Sequence, residues 1–224
     1  MTYSKLLIPL TVLATLAMLP AAADPPDALS IFPLGGQAGT TVDVRIGGMH
    51  LFDECPLALD AADGIVAPAT IRLTERIWFE GPVIPKPESQ QAENYPSDYA
   101  ARFTIAADAR PGTRWWRVST SQGVTPSRRF VVGELPEVVE QEIDGTAIPV
   151  PVTLPVTING RIFPREDVDE WSFHATAGET IRCEVAAARL GSPLDSQREI
   201  LDAAGRRREV GRGRGGAASR GRGS

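Results

Sequence analysis

The amino-acid sequence predicts an all-β protein made of two consecutive β-sandwich domains, and three observations carry that prediction. Apolar residues alternate with polar ones at a period of two, as in Thr41-Val42-Asp43-Val44-Arg45-Ile46 and Trp171-Ser172-Phe173-His174-Ala175. The 21 Gly and 19 Pro among 224 residues recur between short apolar runs, which favours strands joined by turns over long helices. The runs also fall into two blocks separated by a Glu-rich stretch without alternation.

Before the first block stands an N-terminal segment of another kind. Lys5 precedes an apolar run from Leu6 to Leu19, followed by Pro20 and Ala21-Ala22-Ala23. Charged head, apolar middle and small-residue end describe a helical secretory signal peptide over residues 1–23. The run is shorter than the ~20 residues a membrane span needs, so cleavage is expected to leave a chain without a transmembrane segment. The expected location is periplasmic, cell-surface or secreted.

The first sandwich is expected over residues 28–134. After an extended lead-in, Thr41–Ile46 forms a strand with Val42, Val44 and Ile46 on one face, and Gly47-Gly48 is read as its closing turn. Further strands are expected at Thr70–Phe79, Ala101–Ala106, Arg114–Thr120 and Arg128–Val132. Gly81 to Asp98 holds Pro82, Pro85, Pro87 and Pro96, and reads as an exposed loop. Trp115 and Trp116 must face opposite sides of their strand, one in the core and the other exposed or under that loop.

Residues 135–145 read as an acidic linker, and 146–205 as the second, shortened sandwich. Its strands are expected at Val150–Ile158, Trp171–Ala175, Thr180–Ala186 and Gln197–Ala203, with Asn159-Gly160 as a tight turn. Trp171 and Phe173 should point inward to form a second apolar interior. Residues 206–224 are Arg, Gly, Ala and Ser almost throughout, too poor in apolar surface to offset chain entropy, and are expected to be disordered.

Charge is segregated along the chain. The seven Arg and one Glu after Gly205 leave 16 basic and 27 acidic groups before it, so a body at −11 carries a tail at +6. An acidic body points away from nucleic acid and toward divalent cations. An Arg-Gly tract binds RNA in intracellular proteins, but an exported chain would not meet it there.

Catalytic constellations are not found in the sequence. His50 and His174 are the only imidazoles, and neither neighbours a Gly-x-Ser-x-Gly elbow, a His-Glu-x-x-His string or a phosphate loop. Cys55 and Cys183 fall in different expected domains, and Cys183 lies on the apolar face of its strand, so free thiols are expected. Neither cysteine has histidines at zinc-site spacing. The candidate site is acidic. Glu140, Glu142 and Asp144 alternate in the linker and project to one side of an extended chain, while Glu166, Asp167 and Asp169 lie in the turn before Trp171. Two such segments converging could give Ca²⁺ the oxygen ligands it needs; a solvated linker and an Asp-capped turn are the alternative.

Two stretches resemble known families. Pro33-x-Gly35-Gly36-x-x-Gly39-Thr40-x-Val42-x-Val44-x-x-Gly47-x-x-Leu51, with Phe130-Val131-Val132-Gly133 at the far end, is similar to TIG-type immunoglobulin-like domains of secreted and cell-surface proteins. Leu154-Pro155-Val156-Thr157-Ile158-Asn159-Gly160, Asp167-Val168-Asp169-Glu170-Trp171-Ser172-Phe173, Ala177-Gly178-Glu179 and Ile200-Leu201-Asp202-Ala203-Ala204-Gly205 resemble the bacterial pre-peptidase C-terminal domain. That family is jelly-roll-like and accompanies exported peptidases. The resemblance implies further strands where the Arg-rich tail stands. Calcium-binding relatives of this domain bring an acidic lead segment of the type Glu-x-Glu-Pro-Asn-Asp and an Asp-rich turn together on the metal. Here Ile143, Asp144 and Gly145 replace the last three of those residues, with the loss of one carboxylate.

The resulting expectation is an exported, non-catalytic binding or structural module whose partner is an extracellular polymer or protein. An accessory fragment of a secreted peptidase and a carbohydrate- or matrix-binding domain are the alternatives.

Overall fold

The computed structural model describes residues 24–60, 63–77, 96–141, 149–162, 167–192, 194–212 and 219–222. The expected signal peptide lies outside them. The first unit contains β1 (Asp27–Phe32), β2 (Gly35–Gln37), β3 (Thr41–Met49), β4 (Glu54–Asp60), β5 (Ile65–Val66), β6 (Thr70–Ile77), β7 (Ser97–Ile105), β8 (Gly112–Thr120), β9 (Gly123–Val124) and β10 (Arg128–Gly133). They hydrogen-bond in the order β1-β3-β7-β6-β4-β8-β10-β2, with β5 on β7 and β9 on β8. All these pairings are antiparallel except β10 with β2.

β4 turns this path into two layers. Its first half, Glu54–Pro56, pairs with β6, and its second half, Leu57–Asp60, pairs with β8. A strand that changes partners midway is a sandwich corner. One layer is β1-β3-β7-β6, the other β8-β10-β2. Alternation supplies the side chains between them: Val44 and Ile46 of β3, Tyr99, Phe103 and Ile105 of β7, Trp116 and Val118 of β8, Phe130 and Val132 of β10 are all buried. Phe103 and Phe130 meet across the layers edge to face, with ring centroids 5.0 Å apart. The all-β sandwich and the inward face of Val44 and Ile46 agree with the sequence expectation, while Val42 is half-buried.

Several local expectations are corrected. Asp27–Phe32 is a strand, not a lead-in, and pairs with β3. Gly47-Gly48 does not turn the chain but lies inside β3 opposite Asp98 and Ser97. A Cβ on Gly48 would fall 2.3 Å from Leu51 Cδ1 and 3.1 Å from the Tyr99 ring, so packing excludes a side chain there. Gly39, by contrast, does turn the chain, at φ +84. Ser97 and Asp98, expected in the Pro-rich loop, begin β7; residues 81–95 of that loop lie outside the description. Asp98 is 1% exposed and accepts hydrogen bonds from Arg45 Nε at 2.9 Å and Thr74 Oγ1 at 2.5 Å. The pair knits β3, β6 and β7 at one end of the layer, because a buried carboxylate needs such donors.

Beyond Gly133 the strands are short. They are β11 (Glu137–Val139), β12 (Val150–Pro151), β13 (Thr157–Asn159), β14 (Trp171–Ser172), β15 (Thr180–Cys183), β16 (Gln197–Leu201), β17 (Arg207–Arg212) and β18 (Ser219–Arg222). β11 pairs with β13 and β12 with β14, both parallel; β15 with β18 and β16 with β17 are antiparallel. Glu137–Val139, expected within the acidic linker, is therefore a strand. No described residue from 149 to 208 is buried: Trp171 is half-covered and Phe173 is 37% exposed, so the expected second apolar interior does not form around them.

The Arg-rich tail, expected to be disordered, supplies β17 and β18 instead. Ladder hydrogen bonds need no apolar side chains, and Arg207 and Arg208 find acidic partners in Glu199 and Asp202, each at 2.8 Å. Residues 213–218, 223 and 224 lie outside the description. Among the described residues there is no α-helix, only a 3₁₀ turn at Ala188–Leu190, and no helix long and apolar enough to cross a membrane.

Candidate functional site

The acidic site is assembled by the β11–β13 pair. Parallel register sets Glu137 opposite Thr157 and Val139 opposite Asn159. The ladder runs one residue further, where Glu140 N donates to the Asn159 carbonyl at 2.9 Å. This holds the Glu140 side chain beside Gly160 and Arg161. Glu140 is 8% exposed, and its Oε2 accepts a hydrogen bond from the backbone N–H of Arg161. The Arg161 guanidinium lies 3.9 Å from Glu140 Oε1 and stacks 4.8 Å above the Phe32 ring.

The segment before β14 brings Asp167 and Asp169 to the same place. One carboxylate oxygen from each of Glu140, Asp167 and Asp169 lies within 4.8 Å of the others. Burial pushes Asp169 up to about 6, the Glu140 and Asp167 carboxylates push the same way, and Arg161 opposes them. Asp169 Oδ1 is buried with no hydrogen-bond partner among the described residues. Gly160 leaves the space open, since a Cβ there would stand 3.3 Å from both Asp169 Oδ2 and Glu140 Oε2.

These residues suit a hard cation. Oxygens bound to one Ca²⁺ at about 2.3–2.6 Å lie no more than about 5 Å apart, so these three carboxylates are close enough to supply part of the six to eight oxygens such an ion takes. Of the six acidic residues expected from the sequence, Glu140, Asp167 and Asp169 converge; Glu142, Asp144 and Glu166 lie outside the described residues.

Sequence reasoning missed the residues that hold the site. Asn159 was expected in a turn, yet it ends β13. Its Oδ1 accepts from Leu34 N at 3.1 Å and its Nδ2 donates to Glu137 Oε2 at 2.7 Å. Burial raises the Glu137 carboxyl above the usual carboxylate range, and the Asn159 hydrogen bond offsets part of that rise. The available signal was a polar residue closing an apolar run immediately before a glycine, which fits a strand end as well as a turn.

Other candidates carry less chemistry. Trp116 is buried and its Nε1 donates to the Arg129 carbonyl at 3.2 Å; Trp115 is 41% exposed, with the Arg129 guanidinium 5.0 Å from its ring centre. The division of labour between the two tryptophans follows the expected alternation. His50 and His174 are both exposed. Both cysteines are free, Cys55 in the core and Cys183 only half-covered, which is more open than its alternating strand predicts. A groove lined by Leu57, Leu59, Ile65, Val66, Ala67, Pro68 and Ala69 is apolar and holds no titratable group.

Comparison of the chain with protein-family models, with curated proteins and with solved structures finds no match in any of the three.

Proposed function

We propose that this chain is an exported, non-catalytic binding or structural module in which a divalent cation, calcium by preference, ties together the start of the second unit. The observation that carries the reading is the convergence of Glu140, Asp167 and Asp169 beside Gly160, from two segments 27 residues apart along the chain as numbered from Glu140 to Asp167. The resemblances to TIG-type and pre-peptidase C-terminal domains support the modular reading, and the N-terminal charged-then-apolar segment supports export. The partner in this reading is an extracellular polymer or protein.

A cation that binds only the folded chain adds stability by mass action, about 2.7 kcal/mol at a hundredfold excess over Kd. Calorimetric titration of chelator-treated protein with CaCl₂ and, separately, MgCl₂ is the direct test. Heat of binding with calcium, lost in Asp169→Asn and Glu140→Gln, is the expected result; no heat up to millimolar calcium removes the cation from the proposal. Retention on insoluble polysaccharide or collagen tests the partner class. Export predicts a mature chain starting at Asp24 outside the cytoplasm, and an intact N-terminus on cytoplasmic protein would refute it.

A further inference from the structure

We infer that Asn159–Arg161 is a bracket through which the second unit takes its order from the first, so that the two units form a fixed elbow and not two independent beads. This goes beyond the binding reading and does not need a bound ion.

The two units are unequal. The first unit encloses a core of 15 buried hydrophobic residues, whereas no described residue from 149 to 208 is buried. Ordering a residue costs about 1–2 kcal/mol in backbone entropy alone. Short ladders such as the two-residue β12–β14 pairing cannot offset that without help from outside. Domains joined by a linker move relative to one another by default unless specific contacts prevent it.

Specific contacts are present, and they gather at one edge of the sandwich. Asn159 accepts a hydrogen bond from Leu34 N, between β1 and β2, while holding Glu137 with its amide nitrogen. Two residues on, Arg161 rests its guanidinium on the Phe32 ring and binds Glu140 with its backbone N–H. The second unit thus grips Phe32 and Leu34 with two side chains from one three-residue stretch. A separate foot stands on a neighbouring strand: Arg129 of β10 donates through Nη1 to the Arg189 carbonyl at 2.6 Å, and β10 pairs with β2 directly after Leu34. Feet on Phe32, Leu34 and Arg129 fix direction as well as distance. A partner that touches both units would meet them at one set angle.

Hydrogen exchange of the full chain in chelator, read by mass spectrometry, tests the bracket apart from any cation effect. The double variant Asn159→Ala/Arg161→Ala should lower protection at β13, β14, β15 and β16 by about tenfold or more while leaving β3, β7 and β8 unchanged. Because Asn159→Ala also removes a partner of Glu137, Phe32→Leu is the companion variant; it removes the stacking surface from the first unit alone and should shift the second unit's exchange in the same direction. Unchanged exchange in the second unit, or equal loss in both units, would overturn the inference. Loss in the double variant without any in Phe32→Leu would overturn the Arg161 half of it.

Discussion

Tyr99 shows how one side chain carries a pH dependence for the whole sandwich. Burial pushes its phenol up to about 12, and nearby Cys55 and Asp53 act in the same direction. The unfolded chain ionises near 10, so between these values the unfolded state has released a proton that the folded state keeps. The stabilising contribution is therefore complete below pH 10 and is lost as pH rises through about 12. Urea melts of the parent and of Tyr99→Phe across that window should differ in slope, with the variant much flatter; parallel curves would deny the buried phenol this role. Asp169 has the same sign at lower pH and a different consequence. At the proposed site a cation would have to displace the proton that Asp169 holds up to about 6, so any calcium affinity of this cluster should climb as pH rises through that value and level off above it. Titrations at pH 5 and pH 7.5 check this, and equal affinities would rule out Asp169 as a ligand.

At the scale of the element, alternation was legible where both sides of a strand had clear partners. Val44 and Ile46 of β3, Phe103 and Ile105 of β7 and Trp116 and Val118 of β8 all stand inward as their period of two requires. β4 was not legible. The strand pairs with β6 through Pro56 and with β8 from Leu57 onward, which no local pattern announces. Gly47-Gly48 misled for a related reason: glycine marks a turn or a close approach alike, and only the position of Leu51 and Tyr99 decides. The site divides the same way. Carboxylates at Glu140, Asp167 and Asp169 announce themselves by type and spacing, whereas Asn159 and Arg161 act through a long-range pairing that the sequence does not display. The inter-layer contact offers a direct test of the sandwich. Phe103→Ala removes the edge-to-face partner of Phe130 and leaves a cavity between the layers, and should cost about 3–5 kcal/mol in denaturant unfolding with an unchanged m-value. A loss under about 1 kcal/mol would mean the two layers do not close on each other there.

The whole molecule joins a sandwich that is stable through its own core to a unit whose order is borrowed, and the charges follow the same division. The acidic body at −11 is met by a tail at +6, with Arg206, Arg207 and Arg208 paired to Asp202 and Glu199. Exposed pairs of this kind contribute little and weaken with salt. Local opening should therefore start at the C-terminal side long before the core opens, because opening free energy tracks buried apolar contact. Trypsin offers a ruler for this, since arginines are spread through both units. Arg102 and Arg117 lie in the central strands β7 and β8 and bind Asp43 and Asp60, while Arg182 and Arg189, both paired to Glu184, lie in a stretch where no described residue is buried. Brief digestion under native conditions should cut after Arg182 and Arg189 first and leave fragments still joined across Arg102 and Arg117. Raised salt should speed the cuts in the second unit and leave those in β7 and β8 slow. Simultaneous cleavage at all four positions would mean that the chain opens as one cooperative body, with a second core that the exposed Phe173 and Val168 do not reveal.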